Sequence, residues 1–198
     1  NLPLQTHLTA INLKCFIQTL IQLFTPLIQV KNLNIQVTTC SNTPDLVMLD
    51  SFRFKQIITN LLSNAIKFTT EGEVYFSITV LADDHAGQLL EFRVIDTGVG
   101  MGSEQIKLAL QAFEQLPSTH ESSLSEQGRG TGLGLTITNH LVNSMNSHLY
   151  FESAPGFGSN VHFSVAFPRT SIAAPQVANF ESLATSSRNL TPKRPSRK

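Results

Sequence analysis

The chain has 198 residues and balances 14 basic against 14 acidic side chains, so its formal net charge is zero. This balance implies neither a surface that wraps nucleic acid nor an acidic tail, and the length suits one domain of ordinary size with some chain beyond it. The two cysteines, Cys15 and Cys40, lack the spacing of a metal site and are predicted to be reduced thiols.

The first half of the chain predicts two helices separated by a strand. Apolar residues recur at helical spacing over residues 13–28, with Pro26 near the end of that helix. Glutamines and the proline interrupt this segment, which excludes a membrane span. The run "LNIQVTT" (33–39) predicts a strand, and "SFRFKQIITNLLSNAIKFT" (51–69) predicts the longest helix.

The second half predicts two hairpins that flank two helices and a loop. In chain order these are strands "EVYFSITVLA" (73–82) and "LLEFRVID" (89–96), helix "SEQIKLALQAF" (103–113) with Ser103 as N-cap, a loop over 114–132, helix "LGLTITNHLVNSM" (133–145), and strands "HLYFES" (148–153) and "SNVHFSVAFP" (159–168). The order predicts an α+β two-layer sandwich, with helices on one face of a mixed, mostly antiparallel sheet. After Pro168 the pattern ends, so we predict one domain over 1–168 and a linker or disordered tail over 169–198.

The helix predicted over 51–69 has a polar stripe opposite its apolar face. Gln56, Asn60, Asn64 and Lys67 follow one another at steps of four, four and three. Each mid-helix asparagine costs about 0.5 kcal/mol relative to alanine, so two of them one turn apart indicate a role beyond solvation. An amide oxygen suits Mg²⁺ and a lysine suits phosphate, although the stripe alone is also compatible with an ordinary solvated face.

Two glycine-bearing segments are further candidates. In "VIDTGVGM", Asp96 ends a strand before Gly98 and Gly100, where it would accept a hydrogen bond from an exocyclic amine or form an Asx-turn. The segment "GRGTGLGLTI" (128–137) places glycines at alternate positions before a helix, as in a phosphate-binding loop or a mobile loop. It matches neither the Walker loop nor the dinucleotide fingerprint.

The four segments "NLLSNAIKF", "DTGVGM", "AFEQ" and "GRGTGLGL" occur in one order and spacing. Together they resemble the N, G1, F and G2 boxes of the sensor histidine kinase catalytic domain, which shares the Bergerat fold with gyrase, Hsp90 and MutL. The resemblance covers about residues 13–168 and includes the closing hairpin "PGFGSNVHF". The Phe-Thr ending of "NLLSNAIKFT" resembles hybrid kinases, in which a receiver domain follows.

The resemblance implies residue roles. Asn64 and Asn60 would hold Mg²⁺, and with Lys67, which contacts phosphate, they form the implied catalytic set; Asp96 would recognise the adenine amino group. The other implied ATP contacts are the glycines, the aromatic residue and the neighbours in the G1, F and G2 boxes: Gly98, Gly100, Met101, Phe113, Gly128, Arg129, Gly130, Thr131, Gly132, Leu133 and Gly134. The segment 114–127 is implied to be a lid over the nucleotide.

The implied function is transfer of the γ-phosphoryl group of Mg-ATP to a histidine in two-component signalling. No histidine of this chain has the acceptor's sequence context, so the dimerisation and phosphoacceptor domain is expected outside it. Related hydrolases carry a glutamate one turn before the metal asparagine, whereas Asn60 cannot act as a base. Two alternatives remain: a gyrase-, MutL- or Hsp90-like ATPase that drives a conformational change, and a regulatory module that only binds nucleotide.

The resemblance also implies a cellular setting. The partners would be ATP, the acceptor domain and, indirectly, the receiver domain of a response regulator, with no nucleic acid. The chain is expected to be a monomer, in the cytoplasmic part of a bacterial inner-membrane sensor.

Overall fold

A computed structural model of the chain describes residues 7–111 and 133–169. Its elements, in chain order, are β1 (Leu8–Asn12), α1 (Leu13–Gln22), α2 (Thr25–Lys31), β2 (Asn34–Thr39), β3 (Leu46–Asp50), α3 (Ser51–Phe68), β4 (Glu73–Asp83), β5 (Gly87–Asp96), α4 (Ser103–Gln111), α5 (Leu133–Ser144), β6 (Tyr150–Ser153) and β7 (Ser159–Pro168). The predicted loop over 114–132 lies outside the described residues, and so does the predicted tail beyond Arg169.

The main sheet has five strands in the order β2-β4-β5-β7-β6. The β2–β4 pair is parallel and the other pairs are antiparallel, which confirms the predicted mixed, mostly antiparallel sheet. Alternate residues of the central strands are buried, as a sheet covered by helices on one face requires. On β4 and β5 these buried residues are Val74, Phe76, Ile78, Leu90, Phe92 and Val94.

A cluster of phenylalanines fixes α3 on the sheet. The Phe54 ring of α3 lies edge-on to Phe92 of β5, with 4.9 Å between ring centres, and 6.1 Å from Phe163 of β7. Phe92 and Phe163 stack on one another at 5.3 Å. All three are buried, and such aromatic pairs add stabilisation beyond their buried area. The apolar face of α3 is therefore held against the sheet.

The elements predicted for the N-terminal part of the chain differ from those in the structure. The predicted helix over 13–28 is two helices, because Pro26 lies in the first turn of α2, where its missing N–H has no helical partner to lose. Among the described residues no single helix is long and apolar enough to cross a membrane; α1 and α2 meet that test only as a pair bent by 49°. The antiparallel ribbon of β1 and β3 was not predicted.

Candidate functional site

The carboxylate predicted to recognise adenine lies at the buried end of β5. Asp96 is 7% exposed. Its Oδ1 accepts a hydrogen bond from the Gly98 amide at 2.9 Å, and the amide and hydroxyl of Ser159 also donate to it. Burial raises the pKa of Asp96 above its ordinary value because desolvation disfavours the charge, while these three hydrogen bonds oppose the rise. The carboxylate is thus held in a defined orientation.

Ser159 belongs to this site and was missed from the sequence. It starts β7 directly opposite Asp96 in the β5–β7 register and is 8% exposed. The Ser153 hydroxyl lies 3.2 Å from that of Ser159, donates to the Gly158 carbonyl and accepts from the Met101 amide at 2.8 Å. The signal in the sequence that could have identified Ser159 was a serine at an inward-facing position of a strand. The hydrogen bonds of Ser153 join the β6–β7 hairpin to the loop after Asp96.

The two predicted glycines after Asp96 allow close approach of protein backbone. A Cβ on Gly98 would lie 2.4 Å from the Phe68 carbonyl oxygen at the end of α3. Gly100 has φ +65°, and a Cβ there would lie 1.9 Å from the Ala154 carbonyl oxygen. Both contacts exclude a side chain, so this loop fits between α3 and the β6–β7 hairpin only because these positions are glycine.

The middle of the polar stripe of α3 faces α5 and is not an ordinary solvated face. The Asn60 Nδ2 donates to the Gly134 carbonyl and to the Thr138 hydroxyl, both at 3.3 Å. Thr138 donates to the same carbonyl at 2.9 Å. Asn60 therefore links the middle of α3 to the first turns of α5, and its amide nitrogen is occupied by these two hydrogen bonds.

Asn64, one turn further along α3, leaves its amide available. It is half-buried, and its side chain makes no hydrogen bond to another residue in the described ranges. Its Nδ2 lies 3.9 Å from where a Cβ on Gly134 would stand, so the glycine leaves space beside it. Lys67 is exposed, with its ammonium 5.2 Å from the centre of the Phe68 ring. An amide oxygen is a ligand that Mg²⁺ accepts, so the side chain of Asn64 fits the implied metal.

The end of α3 joins the two groups into one site. The Val99 amide donates to the Phe68 carbonyl at 3.2 Å. Phe68 follows Asn64 by about one turn of the helix, and Val99 lies three residues after Asp96. The structure thus places the last turn of α3, which follows Asn64, against the loop that follows Asp96.

The remaining predicted residues divide into two groups. Met101 and Gly134 lie in the described site, and Leu133 begins α5. The other predicted contacts lie outside the described residues: Phe113, Gly128, Arg129, Gly130, Thr131 and Gly132.

Residues 49–169 match the family described as histidine kinase-, DNA gyrase B-, and HSP90-like ATPase. The sensor histidine kinase GacS of Pseudomonas protegens is 36% identical over 160 residues, which are 80% of this chain and 17% of GacS. The signal transduction histidine-protein kinase BarA of Escherichia coli K12 is 38% identical over 135 residues, 68% of this chain and 14% of BarA. The chain therefore spans under a fifth of the length of these curated relatives.

A solved structure shares the fold. The crystal structure of full-length ShkA in complex with AMPPNP superposes with a TM-score of 0.66 at 24% identity, covering 84% of this chain and 32% of ShkA. The family match contains every described element of the site, from α3 to β7. The chain therefore belongs to the histidine kinase-, DNA gyrase B- and HSP90-like ATPases and carries their ATP-binding domain.

Proposed function

We propose that this chain is the catalytic domain of a sensor histidine kinase. It binds Mg-ATP and presents the γ-phosphoryl group to a histidine on a separate dimerisation and phosphoacceptor domain. The observation that carries the proposal is the contact between the end of α3 and the loop after Asp96, which gathers a buried carboxylate and an available amide at one site. The relatives GacS and BarA, both named histidine kinases, support it.

The described residues divide the work of binding. Asp96 accepts a hydrogen bond from the adenine amino group, while Gly98, Gly100 and Met101 keep the loop packed against the β6–β7 hairpin. Asn64 ligates Mg²⁺ through its amide oxygen, and Lys67 contacts phosphate. A bound Mg²⁺ supplies charge neutralisation for phosphoryl transfer.

The other members of the predicted set complete the site. Asn60 lines it and orients α5. The F-box and G2 residues are proposed to contact ATP from the lid side: Phe113, Gly128, Arg129, Gly130, Thr131, Gly132, Leu133 and Gly134.

Asn60 favours transfer over hydrolysis. A hydrolase needs a base that accepts a proton from the attacking water, and a carboxamide cannot do this. Its nitrogen is also engaged with α5. The acceptor domain would therefore supply any base, and catalysis by this chain consists of positioning and charge neutralisation. This argues against the gyrase-like ATPase.

The whole protein is proposed to be a hybrid kinase in which a receiver domain follows, serving a response regulator. We propose that this chain lies in the cytoplasmic part of a bacterial membrane sensor, as a monomer, with residues 1–168 as the domain and 169–198 as a linker or disordered tail.

The direct test is phosphotransfer in trans. The chain is mixed with radiolabelled ATP, Mg²⁺ and the separately produced acceptor domain of its own kinase. We expect acid-labile label on the acceptor histidine and none when that histidine is replaced by alanine. Steady phosphate release without an acceptor would instead support the ATPase, and nucleotide binding without label would support a binding module.

Asn64→Ala tests the metal role. We expect the affinity for Mg-ATP to fall about tenfold or more, and the free energy of unfolding to change little because the amide bonds no other described residue. Calorimetric titration with and without Mg²⁺ measures this, with the exposed Asn143 of α5, changed to alanine, as the matched control. An unaltered Mg-ATP affinity in Asn64→Ala would contradict the assignment.

A further inference from the structure

Lys31, the last residue of α2, makes a contact that the sequence did not reveal. Its ammonium donates to three main-chain carbonyls: Ile66 at 2.7 Å, Lys67 at 2.9 Å and Thr69 at 3.0 Å. An ammonium group has three N–H donors, so this set uses all of them. In the part of the chain that the structure describes, Lys31 has no carboxylate partner.

This contact completes the carboxyl end of α3. The last four carbonyls of a helix have no partner within it. In α3, the Ala65 carbonyl accepts from the amide and hydroxyl of Thr69, and the Phe68 carbonyl accepts from Val99. Lys31 donates to the two carbonyls between these, those of Ile66 and Lys67. Its positive charge also lies at the negative end of the helix dipole.

The capped turn is the one on which the proposed nucleotide site depends. Asn64 lies just before it, Lys67 lies within it, and Val99 of the loop after Asp96 binds its last carbonyl. A shift of this turn would therefore move the metal side of the site relative to the base side. Lys31 itself comes from α2, which precedes the matched segment 49–169.

We propose that Lys31 is a positioning residue of the nucleotide site. It acts through the main chain of α3 and fixes the turn that sets Asn64 against the loop after Asp96; the inference rests on the proposed function. Ile28 is the one buried residue of α2, and the three Lys31 hydrogen bonds join this helix to the end of α3. The position of α2 is thereby coupled to nucleotide binding.

The test compares two variants of the full 198-residue chain. Lys31→Met keeps the aliphatic stem and loses the donors, and we expect its affinity for Mg-ATP to fall about tenfold. Lys31→Arg still donates to carbonyls and should retain most of the affinity. Calorimetric titration with Mg-ATP measures both. Hydrogen exchange of the Val99 amide should accelerate in Lys31→Met, while that of the Cys40 amide, bonded to the Ile78 carbonyl at 3.1 Å, should not.

Ile28→Ala separates positioning from loss of stability. It removes a buried side chain and so lowers stability, but it retains the Lys31 ammonium with its three N–H donors. The proposal is wrong if Lys31→Met binds Mg-ATP like the unaltered chain, or if Ile28→Ala weakens binding as much for the same loss of unfolding free energy. If Lys31→Met does not fold, Lys31→Leu, which also lacks the N–H donors, takes its place, with the same two outcomes. If the unaltered chain does not bind Mg-ATP, the proposed function itself fails, which is a different result.

Discussion

The two sides of the site differ in how far the protein alone completes them. Around Asp96 the polar groups are buried and bonded to one another, with the Gly98 amide and Ser159 holding the carboxylate. Around Asn64 the side chain is half-buried and bonds no other described residue. We infer that the base side is preorganised, whereas the metal side keeps its donor for a ligand. Selectivity for the base is then set before ATP arrives.

Asp96→Asn attacks the preorganised side and should have the largest effect. It keeps one acceptor oxygen and replaces the other with an NH₂ group, so the oxygen that accepts from the Gly98 N–H and the oxygen proposed to accept from adenine can no longer both be acceptors. We expect ATP affinity to fall by roughly 10- to 150-fold, the range for losing a hydrogen bond to a charged group. Titration calorimetry measures it, with Asp45→Asn, an exposed carboxylate, as control. Affinity equal to that of the unaltered chain would rule out base recognition by Asp96.

Gly158→Ala and Gly156→Ala test whether the hairpin holds that side rigid. Both glycines have positive φ, +78° and +82°, so both substitutions carry a similar backbone cost of about 1 kcal/mol. Only at Gly158 would the new Cβ also collide, 1.9 Å from the Asp96 carbonyl oxygen. We expect Gly158→Ala to lower the free energy of unfolding by a further amount of about 1–3 kcal/mol in chemical denaturation. Equal losses of unfolding free energy in the two variants would show that the hairpin moves to accommodate the new Cβ and is not rigid.

Asn60→Ala sharpens the contrast within α3. Losing the two hydrogen bonds to α5 should cost about 1 kcal/mol of unfolding free energy, with a smaller loss of Mg-ATP affinity than in Asn64→Ala. Denaturation and calorimetric titration of the two variants side by side measure the difference. The reverse pattern, in which the free energy of unfolding is unchanged and the Mg²⁺ dependence of ATP binding is lost, would show that Asn60 acts mainly as a metal ligand.

The pH dependence should be the smallest effect. Because the pKa of Asp96 is raised in the folded chain, its ionised form costs stability above that pKa, and the cost disappears as the pH falls through it. ATP affinity should move the other way, since base recognition uses the ionised carboxylate. Comparing the chain with Asp96→Asn cancels the titration of ATP itself. Identical pH profiles for the two proteins would contradict this account.

The sequence predicted the parts of the site that local patterns specify. The period of α3 placed Asn60 and Asn64 on one stripe, and the alternation of β5 placed Asp96 at a strand end. Ser159 and the Lys31 contacts depend on strand register and on pairings between residues far apart in the chain, which periodicity does not contain. The β1–β3 ribbon was missed for the same reason.

Pro26 shows a different limit. Proline occurs both in the first turn of a helix and just after the end of one. Its position in the sequence therefore does not show by itself that Pro26 begins a second helix. The sequence therefore indicated a helical segment without its break.

The most direct test of the central claim is a crystal structure of the chain with Mg²⁺ and a non-hydrolysable ATP analogue. We expect the adenine amino group to lie within hydrogen-bond distance of the Asp96 carboxylate, and the metal to be ligated by the Asn64 amide oxygen. A nucleotide bound elsewhere, or a metal held without Asn64, would contradict it.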